Sequence, residues 1–260
     1  MNSLKAHTLG GGQITQAGGV WQLCLPAGDA RTYRLAQLDD YSSLPRPAFP
    51  WPVGVCLRLR ARASHPQIPG TWGFGFWNDP FSLSLGLGGG VRRFPALPNA
   101  AWFFFASPQN YLSFRDDQPG SGALASAFTA PRVPAPFLGA AAPLLSASLW
   151  PPAGRALRRL AARFIRQANH PLRLDITQWH TYTLHWRADQ VTWQVDGQEV
   201  FRTACTPRPP LGLVLWIDNQ YAAWGNDGRV AWGLLPAKQD YRVEIADFAC
   251  DLLDNNGAIV

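Results

Sequence analysis

Hydrophobic and polar residues alternate along many short stretches of the chain, which is the pattern of half-buried β-strands. In residues 53–63 the apolar side chains fall on one face, and Arg58, Arg60 and Arg62 fall on the other. Residues 179–199 predict two further strands, the second of which ends at an Asp196-Gly197 corner. That corner suits a type I′ hairpin turn, because both residue types tolerate positive φ.

The run Gly70 to Asp79 (GTWGFGFWND) is the least usual strand candidate. Its glycines alternate with Trp72, Phe74 and Phe76, so one side is bulky while the other leaves space for a neighbouring backbone or a ligand. The strand predicted at 101–106 (AWFFFA) is apolar on both faces, so both faces should be covered by other parts of the protein. Further strands are predicted at 20–26, 32–38, 82–90, 211–217, 230–235 and 241–252.

An insertion rich in Ala, Pro, Gly and Ser interrupts this pattern at about 120–170. Within it, apolar residues recur at helical spacing and predict an amphipathic helix near 153–168, with arginines over much of its remaining surface. Three interpretations stay open: a helix that packs its apolar stripe on the sandwich, a lid over a ligand site, or a membrane-surface helix. The stripe consists of Leu157, Leu160, Ala161, Phe164 and Ala168.

Composition favours one all-β domain over residues 1–260, since 12 Trp, 14 Phe, 24 Gly and 23 Pro suit short aromatic strands joined by turns. The net charge of +6 comes from scattered arginines without a nucleic-acid motif, so nucleic-acid binding is not expected. The N-terminus shows no secretory pattern and no segment is apolar enough to span a membrane, which predicts a cytoplasmic protein. The four cysteines are widely spaced, so we expect buried thiols and no metal site, and no cofactor is predicted.

Several blocks together resemble the family-16 glycoside hydrolases of the laminarinase and lichenase group. They are CLRLRARA, GTWGFGFW, WHTYTLHWRADQVTWQVDGQEV, LGLVLWIDN and YRVEIADFA, within residues 53–80 and 176–250. The resemblance implies a concanavalin A-like jelly-roll sandwich of two antiparallel sheets with a ligand cleft along the concave sheet. Many short strands joined by regular turns also pack in this way.

The chain departs from that family where its chemistry should be. The resemblance implies two catalytic glutamates on one strand, because retaining glycoside hydrolysis needs two carboxylates beside the scissile bond. The equivalent strand reads WFFFAS from Trp102 to Ser107, and the only glutamates are Glu199 and Glu244, neither of which matches a catalytic position. The sequence therefore predicts that the standard hydrolase mechanism is absent.

The remaining candidates for proton transfer are Asp79, Asp218 and His185. Both aspartates follow aromatic strands, where a sandwich could present them at a cleft, but each could equally cap its own turn. His185 lies within the first strand of the predicted hairpin and could line the cleft or be a hydrogen-bonded, partly buried histidine. No phosphate loop or nucleophile triad order is present in the sequence.

Two hypotheses follow for the function. The first is a non-hydrolytic protein that holds a glycan or an apolar small molecule against an aromatic concave face. The second is an enzyme of isomerase or cyclase type that acts on an apolar substrate, with Asp or His as the acid or base. The sequence carries no pattern that predicts an oligomeric state. Candidate ligand contacts are Trp72, Phe76, Trp77, Trp102, Phe104, Trp216, Asn219, Tyr221 and Trp224.

Overall fold

The computed structural model describes residues 4–80, 93–133 and 150–254, and it contains sixteen strands and one α-helix in these ranges. The strand predicted at 82–90 lies outside them. The strands are β1 Lys5–Leu9, β2 Gln13–Ala17, β3 Val20–Leu25, β4 Leu35–Asp39, β5 Val55–Ala63, β6 Thr71–Trp77, β7 Ala100–Ala106, β8 Gly122–Thr129, β9 Arg166–Pro171, β10 His180–Trp186, β11 Val191–Val195, β12 Gln198–Thr203, β13 Gly212–Asp218, β14 Gln220–Trp224, β15 Val230–Leu234 and β16 Tyr241–Leu252.

Fourteen of these strands form two seven-stranded antiparallel sheets packed face to face. Sheet A has the order β1-β4-β13-β6-β7-β8-β9, and sheet B has the order β12-β11-β10-β5-β16-β3-β2. The hairpin β14–β15 forms a small sheet of its own. The predicted all-β jelly-roll sandwich with one inserted helix is therefore confirmed.

The main core lies between the two sheets and follows the two-residue period of the strands. On β5, Leu57 and Leu59 are each 1% exposed and face the core, whereas Arg58 and Arg60, which alternate with them, are exposed. Sheet A differs from sheet B because its outer face is buried as well. A second apolar cluster, with Trp102, Phe104 and Trp216 at its centre, covers that outer face.

The predicted hairpin corner is confirmed. Asp196 and Gly197 have φ values of 51° and 77°, both in the left-handed region that a type I′ turn requires, and they connect β11 to β12. The Asp196 carboxylate accepts hydrogen bonds from the Thr181 backbone N–H at 2.8 Å and from the His180 ring at 2.7 Å. The turn is thus held against the first residues of β10.

Helix α1 runs from Pro151 to Phe164, so the predicted end at 168 is wrong. Ala168 belongs to β9, and β8 and β9 both pair within sheet A, which makes the insertion shorter than the predicted 120–170. These strands were missed because they are built from small and polar residues with little apolar alternation. No helix in the described ranges is long and apolar enough to cross a membrane.

The helix packs only part of its apolar stripe on the sandwich, so the first of the three interpretations holds for one edge of the stripe only. Ala161 packs against the second apolar cluster and Leu157 is half-buried. Its buried residues are Gly154 and Arg158, while Leu160 is 46% and Phe164 is 55% exposed. Arg158 sets this orientation, because its guanidinium bonds the Asp116 carboxylate and the Ser113 carbonyl. The helix is therefore rotated so that Arg158 faces the protein together with one edge of the stripe, while Leu160 and Phe164 remain outside.

Candidate functional site

Four aromatic side chains lie together on the outer face of sheet A, and we call them the outer-face cluster: Trp77, Trp102, Phe104 and Trp216. The rings of Trp102 and Trp216 are 5.5 Å apart, and Trp77 is stacked nearly parallel to Trp216 at 6.4 Å. Phe104 lies 5.3 Å from Trp102 and 5.9 Å from Trp216. All four were predicted as ligand contacts, and the structure brings them together.

Two glycines of β6 make room for this cluster. A Cβ on Gly73 would lie 2.3 Å from the Phe103 carbonyl oxygen and 2.9 Å from the Trp216 ring. A Cβ on Gly75 would lie 2.5 Å from the Cα of Trp102. The open side that the GTWGFGFW pattern predicts is thus filled by neighbouring backbone and by the indole of Trp216.

Further side chains cover the cluster from above. Phe128 contacts Trp102 at 6.4 Å between ring centroids, Tyr41 contacts Trp77 at 6.1 Å, and Phe114 contacts Phe128 at 6.4 Å. As a result Trp102 is only 9% and Trp216 only 8% exposed. An apolar surface this closed does not resemble an open groove for a polymer.

The parity of β6 corrects two of the predicted contacts. Because Trp77 points to the outer face, Trp72 and Phe76 point into the core between the sheets. Trp72 is stacked on Phe105 at 3.6 Å, and Phe76 lies 5.6 Å from Trp186 of sheet B. Both are core residues.

Asn219 is also structural. It is fully buried, and its amide oxygen accepts a hydrogen bond from the Arg34 backbone N–H at 2.8 Å. Its amide nitrogen donates to the carbonyls of Thr32 and Leu235 at 3.1 and 2.9 Å. These bonds use both donor hydrogens, so the side chain has no donor left for a ligand.

Tyr221 and Trp224 lie on the separate hairpin β14–β15 and are half-buried. The ring of Trp224 is 6.1 Å from Phe114, which places this hairpin beside the covering residues. Tyr221 packs against Gly233 across the hairpin. Other residues therefore lie between these two side chains and the outer-face cluster. Among the described residues, neither ring is in direct contact with a ring of the cluster.

Asp218 sits at the end of β13 on the outer face, within a chain of hydrogen bonds. The Trp216 indole N–H donates to the Thr71 hydroxyl at 2.9 Å, and that hydroxyl donates to Asp218 Oδ1 at 2.9 Å. Oδ1 also accepts from the backbone N–H of Gln220 at 3.2 Å, the hydrogen bond of an Asx-turn. The Tyr33 hydroxyl donates to Oδ2 at 3.3 Å.

Burial raises the pKa of Asp218 to about 6, although the hydrogen bonds from Thr71, Gln220 and Tyr33 lower it in part. The same burial, together with the charge of Asp218, raises the pKa of the Tyr33 phenol. Tyr33 was not among the predicted residues. Nothing local in the sequence could have identified it, because it is 185 residues from Asp218 along the chain.

We expect this carboxyl to make the folded protein less stable as pH rises from about 4 to about 6. A pKa that is higher in the folded state means that the folded state binds more protons in that window, so folding is favoured on the acid side. The contribution is on the order of 3 kcal/mol for a shift of this size. Asp218→Asn should flatten this slope and raise stability at neutral pH, measured by urea unfolding at a series of pH values.

Asp40 provides the matched control, since burial raises its pKa to about 6 as well. Both of its carboxylate oxygens accept hydrogen bonds, one from the Leu213 N–H and one from the Trp51 indole N–H. An amide at position 40 would place its own N–H against one of these two N–H donors. Asp40→Asn should therefore destabilise the folded protein at neutral pH. If Asp218→Asn left the pH dependence of the free energy of unfolding unchanged, this would contradict the raised pKa of Asp218.

Asp79 is held in a buried ion pair. Its Oδ2 accepts a hydrogen bond from Arg93 Nη1 at 2.7 Å, and the side chains of Asp79 and Arg93 are only 10% and 6% exposed. Burial raises the pKa of Asp79, and the neighbouring Arg93 and Arg46 oppose that rise. Since Asp79 already has this partner and a left-handed φ of 48°, the structure supports the turn interpretation for it.

The structure does not bring the three proton-transfer candidates together. Asp218 is paired with Thr71, whereas Trp77 ends β6 six residues or about 20 Å away, and Asp79 lies two residues beyond it. His185 lies on β10 in sheet B, beside Cys56 and Thr192, with burial lowering its pKa. Because Leu184 and Trp186 face the core, His185 points to the outside of the opposite sheet, so it cannot line the same cleft.

The structure also separates two aspartates that point to the outer face of sheet A. Asp39 and Asp218 both point to the outer face of sheet A, but Asp39 is paired with Val214, four residues from Asp218 along β13. That places their backbone positions about 13 Å apart along the strand direction. Residues 81–92 and 134–149 contain no Asp or Glu and cannot supply a second acid.

The outer face has hydrogen-bonding capacity that the described residues leave unused. The indole N–H of Trp102 is buried without an acceptor in these ranges, and so is that of Trp224. A buried donor without a partner costs about 1–3 kcal/mol, so such groups in a native fold need a reason.

No group of three or more His, Cys, Asp or Glu side chains in the described ranges is arranged to hold a metal ion.

Comparison with known proteins identifies relatives of this architecture. The model of the family "Glycosyl hydrolases family 16" matches residues 162–208. No curated protein matches the sequence significantly. A 1,3-α-1,4-β-D-galactose-4-sulfate-3,6-anhydro-D-galactose 4 galactohydrolase has a TM-score of 0.50 at 11% identity, covering 90% of this chain and 80% of that chain.

Two other solved structures are similar at lower TM-scores. A prokaryotic β-1,3-1,4-glucanase (lichenase) from a mouse hindgut metagenome has a TM-score of 0.47 at 12% identity, over 91% of this chain and 81% of its own. The κ-carrageenase of Pseudoalteromonas carrageenovora in complex with an oligotetrasaccharide has 0.46 at 12% identity, over 90% and 80%. In the sequence of residues 162–208 and in its fold, the chain resembles the family-16 glycoside hydrolases, as the sequence blocks predicted.

Proposed function

We propose that this protein binds a compact ligand against the outer-face cluster of sheet A and does not hydrolyse glycosidic bonds. The observation that carries the proposal is strand β7. Its outer-facing positions are Ala100, Trp102, Phe104 and Ala106, and it therefore offers stacking surface where the family resemblance implies carboxylates. Aromatic faces of this kind stack on sugar rings or on apolar rings.

The chemistry of the site defines the ligand class. The cluster is nearly closed to solvent, which favours a single sugar unit or a small apolar ring compound over a polysaccharide chain. The unpaired indole N–H of Trp102 favours a ligand that carries a hydrogen-bond acceptor. Pockets of this type commonly combine apolar walls with a few polar groups that orient the ligand.

The test is a thermal-shift screen of monosaccharides, β-glucan oligosaccharides and apolar ring metabolites against wild type and Trp102→Phe. A compact ligand should stabilise the wild type. Trp102→Phe keeps the stacking ring but removes the N–H, so it should weaken binding about tenfold, the effect of one lost hydrogen bond to a buried acceptor.

Trp232→Phe is the matched control, because Trp232 is 66% exposed on β15 and should leave the affinity unchanged. Stabilisation by oligosaccharides alone would contradict the compact-ligand proposal. Release of reducing sugar from a β-glucan would contradict the non-hydrolytic one.

Asp218 supports a second candidate function, proton transfer to a ligand at the same face. Its pKa of about 6 keeps a useful fraction protonated near neutral pH, and Tyr33 contacts the same carboxyl. An isomerisation or cyclisation of a bound apolar substrate would suit such a group. In that case Asp218→Asn would abolish turnover while ligand binding remained, whereas a pure binding protein would show no turnover with any ligand that stabilises it.

A further inference from the structure

The exposed side of helix α1 carries an apolar patch beside a row of arginines. Trp150, at the start of the helix, is 68% exposed, and Leu160 and Phe164 are 46% and 55% exposed. Leu160 and Phe164 are four residues apart, so they share one face of the helix. The described parts of the chain contain only three other large hydrophobic side chains with comparable exposure, so half of this exposed set lies on one short element.

The arginines lie along the same exposed side. Arg155, Arg159 and Arg163 are spaced four residues apart and are all exposed, so they form one row adjacent to the apolar patch. The sequence has no Asp or Glu from residue 118 to residue 174, so nothing on the helix itself neutralises this row. The exposed side is therefore both apolar and strongly basic.

The buried side of the helix explains why the apolar patch remains outside. Arg158 is 4% exposed and is tied to Asp116 and Ser113, with its guanidinium 5.7 Å from the Tyr111 ring. This contact anchors the helix on the loop that follows β7. A helix that only packed on the sandwich would bury Leu160 and Phe164 and expose its arginines.

An open pocket of about 480 Å³ adjoins the C-terminal end of the helix. Phe164 forms part of its wall together with Val53 and Pro207, and Arg166 and Arg208 supply positive charge at the same pocket. Apolar walls beside two guanidinium groups suit an anionic head group attached to an apolar chain. The pocket thus combines apolar and basic side chains, as the exposed face of the helix does.

We propose that this side of α1 docks on an anionic lipid surface. Trp150, Leu160 and Phe164 enter the interface, and Arg155, Arg159 and Arg163 contact the lipid phosphates. An amphipathic helix with Trp, Phe and Leu beside basic residues binds in the plane of the membrane surface, with affinity that depends on anionic lipid. Charge complementarity selects this partner over a second copy of the chain, because two copies would bring the same arginine rows together.

The experiment is co-sedimentation of the full chain with vesicles of phosphatidylcholine alone and of phosphatidylcholine mixed with phosphatidylglycerol. The protein should bind the anionic vesicles, and added salt should weaken binding because exposed charges are screened. Leu160→Gln with Phe164→Gln should lower the partition coefficient about tenfold or more, since the inserted apolar area is lost. Arg159→Gln with Arg163→Gln should lower it only for anionic vesicles.

Matched controls lie on the opposite sheet. Leu252→Gln removes another exposed aliphatic side chain, and Arg58→Gln with Arg242→Gln removes the same net charge from sheet B, so neither variant should change binding. All replaced helix residues are exposed, and an unchanged thermal midpoint verifies that the variants fold. Absence of binding to anionic vesicles overturns the proposal. So does a dimer in light scattering that Leu160→Gln with Phe164→Gln dissociates, because the patch would then join two copies.

Discussion

Arg93→Ala is expected to destabilise the folded protein by about 3–5 kcal/mol, the cost of leaving a buried charge without its partner. The guanidinium bonds the Asp79 carboxylate and donates to the backbone carbonyls of Tyr41, Ser42 and Leu44. Its charge also lies 5.1 Å from the Phe49 ring centroid. The substitution thus removes an ion pair and several hydrogen bonds in a region that solvent does not reach. Urea unfolding at neutral pH measures the loss.

The pH dependence of that loss identifies its cause. Without Arg93 the pKa of Asp79 rises further, because burial already raises it and the opposing cation is gone. A raised folded-state pKa favours folding on the acid side, so the difference between variant and wild type should shrink as pH falls. Arg202→Ala, which breaks an exposed pair with Glu199, should cost less than about 1 kcal/mol. A pH-independent loss for Arg93→Ala would contradict the assigned role of Asp79.

Trp193→Ala is the second substitution with a large expected effect. Trp193 is fully buried on β11 of sheet B, and its indole N–H donates to the Trp102 carbonyl of sheet A at 3.0 Å. Truncation removes a large core side chain and the one side-chain hydrogen bond described between Trp193 and the opposite sheet, for a loss of about 3–5 kcal/mol. Thermal or urea unfolding measures it, and Trp232→Ala at an exposed site should change stability by less than about 0.5 kcal/mol.

Trp193→Phe separates packing from the hydrogen bond. It retains an aromatic ring in the core but cannot donate to the Trp102 carbonyl, so it should cost about 1–2 kcal/mol. Because Trp102 belongs to the outer-face cluster, the same variant should also weaken binding of any ligand found in the screen. Full affinity in Trp193→Phe would indicate that the position of Trp102 does not depend on this bond.

The strands of the main core were predictable because a half-buried strand shows an alternation of apolar and polar residues in the sequence. The structure has strands where this alternation predicted them, at 53–63 and 241–252, and it has the turn predicted at Asp196-Gly197. Strands β8 and β9 carry little of it, since one is rich in Ala, Ser and Gly and the other is polar. They join sheet A through pairing with neighbours, which depends on the whole fold and not on their own residues.

The composition of the candidate site was predictable from the sequence, but only part of its arrangement was. The alternation along β6 by itself shows that Trp77 points to one side of the strand, and that Trp72 and Phe76 point to the other. The contact between Tyr33 and Asp218, and that between Arg158 and Asp116, join residues with no sequence signal for each other. Such pairs arise only when the chain is folded.

The sequence by itself determined the strand pattern, the resemblance to family-16 glycoside hydrolases and the lack of carboxylates on strand β7. These properties are local, since they depend on residue type and on parity along one strand. Only the tertiary structure decided that the aromatic outer face is closed, that His185 lies on the other sheet and that α1 exposes Leu160 and Phe164 of its apolar stripe. The physical reason is that burial and charge pairing are set by neighbours distant in sequence, and these neighbours outweigh local preference.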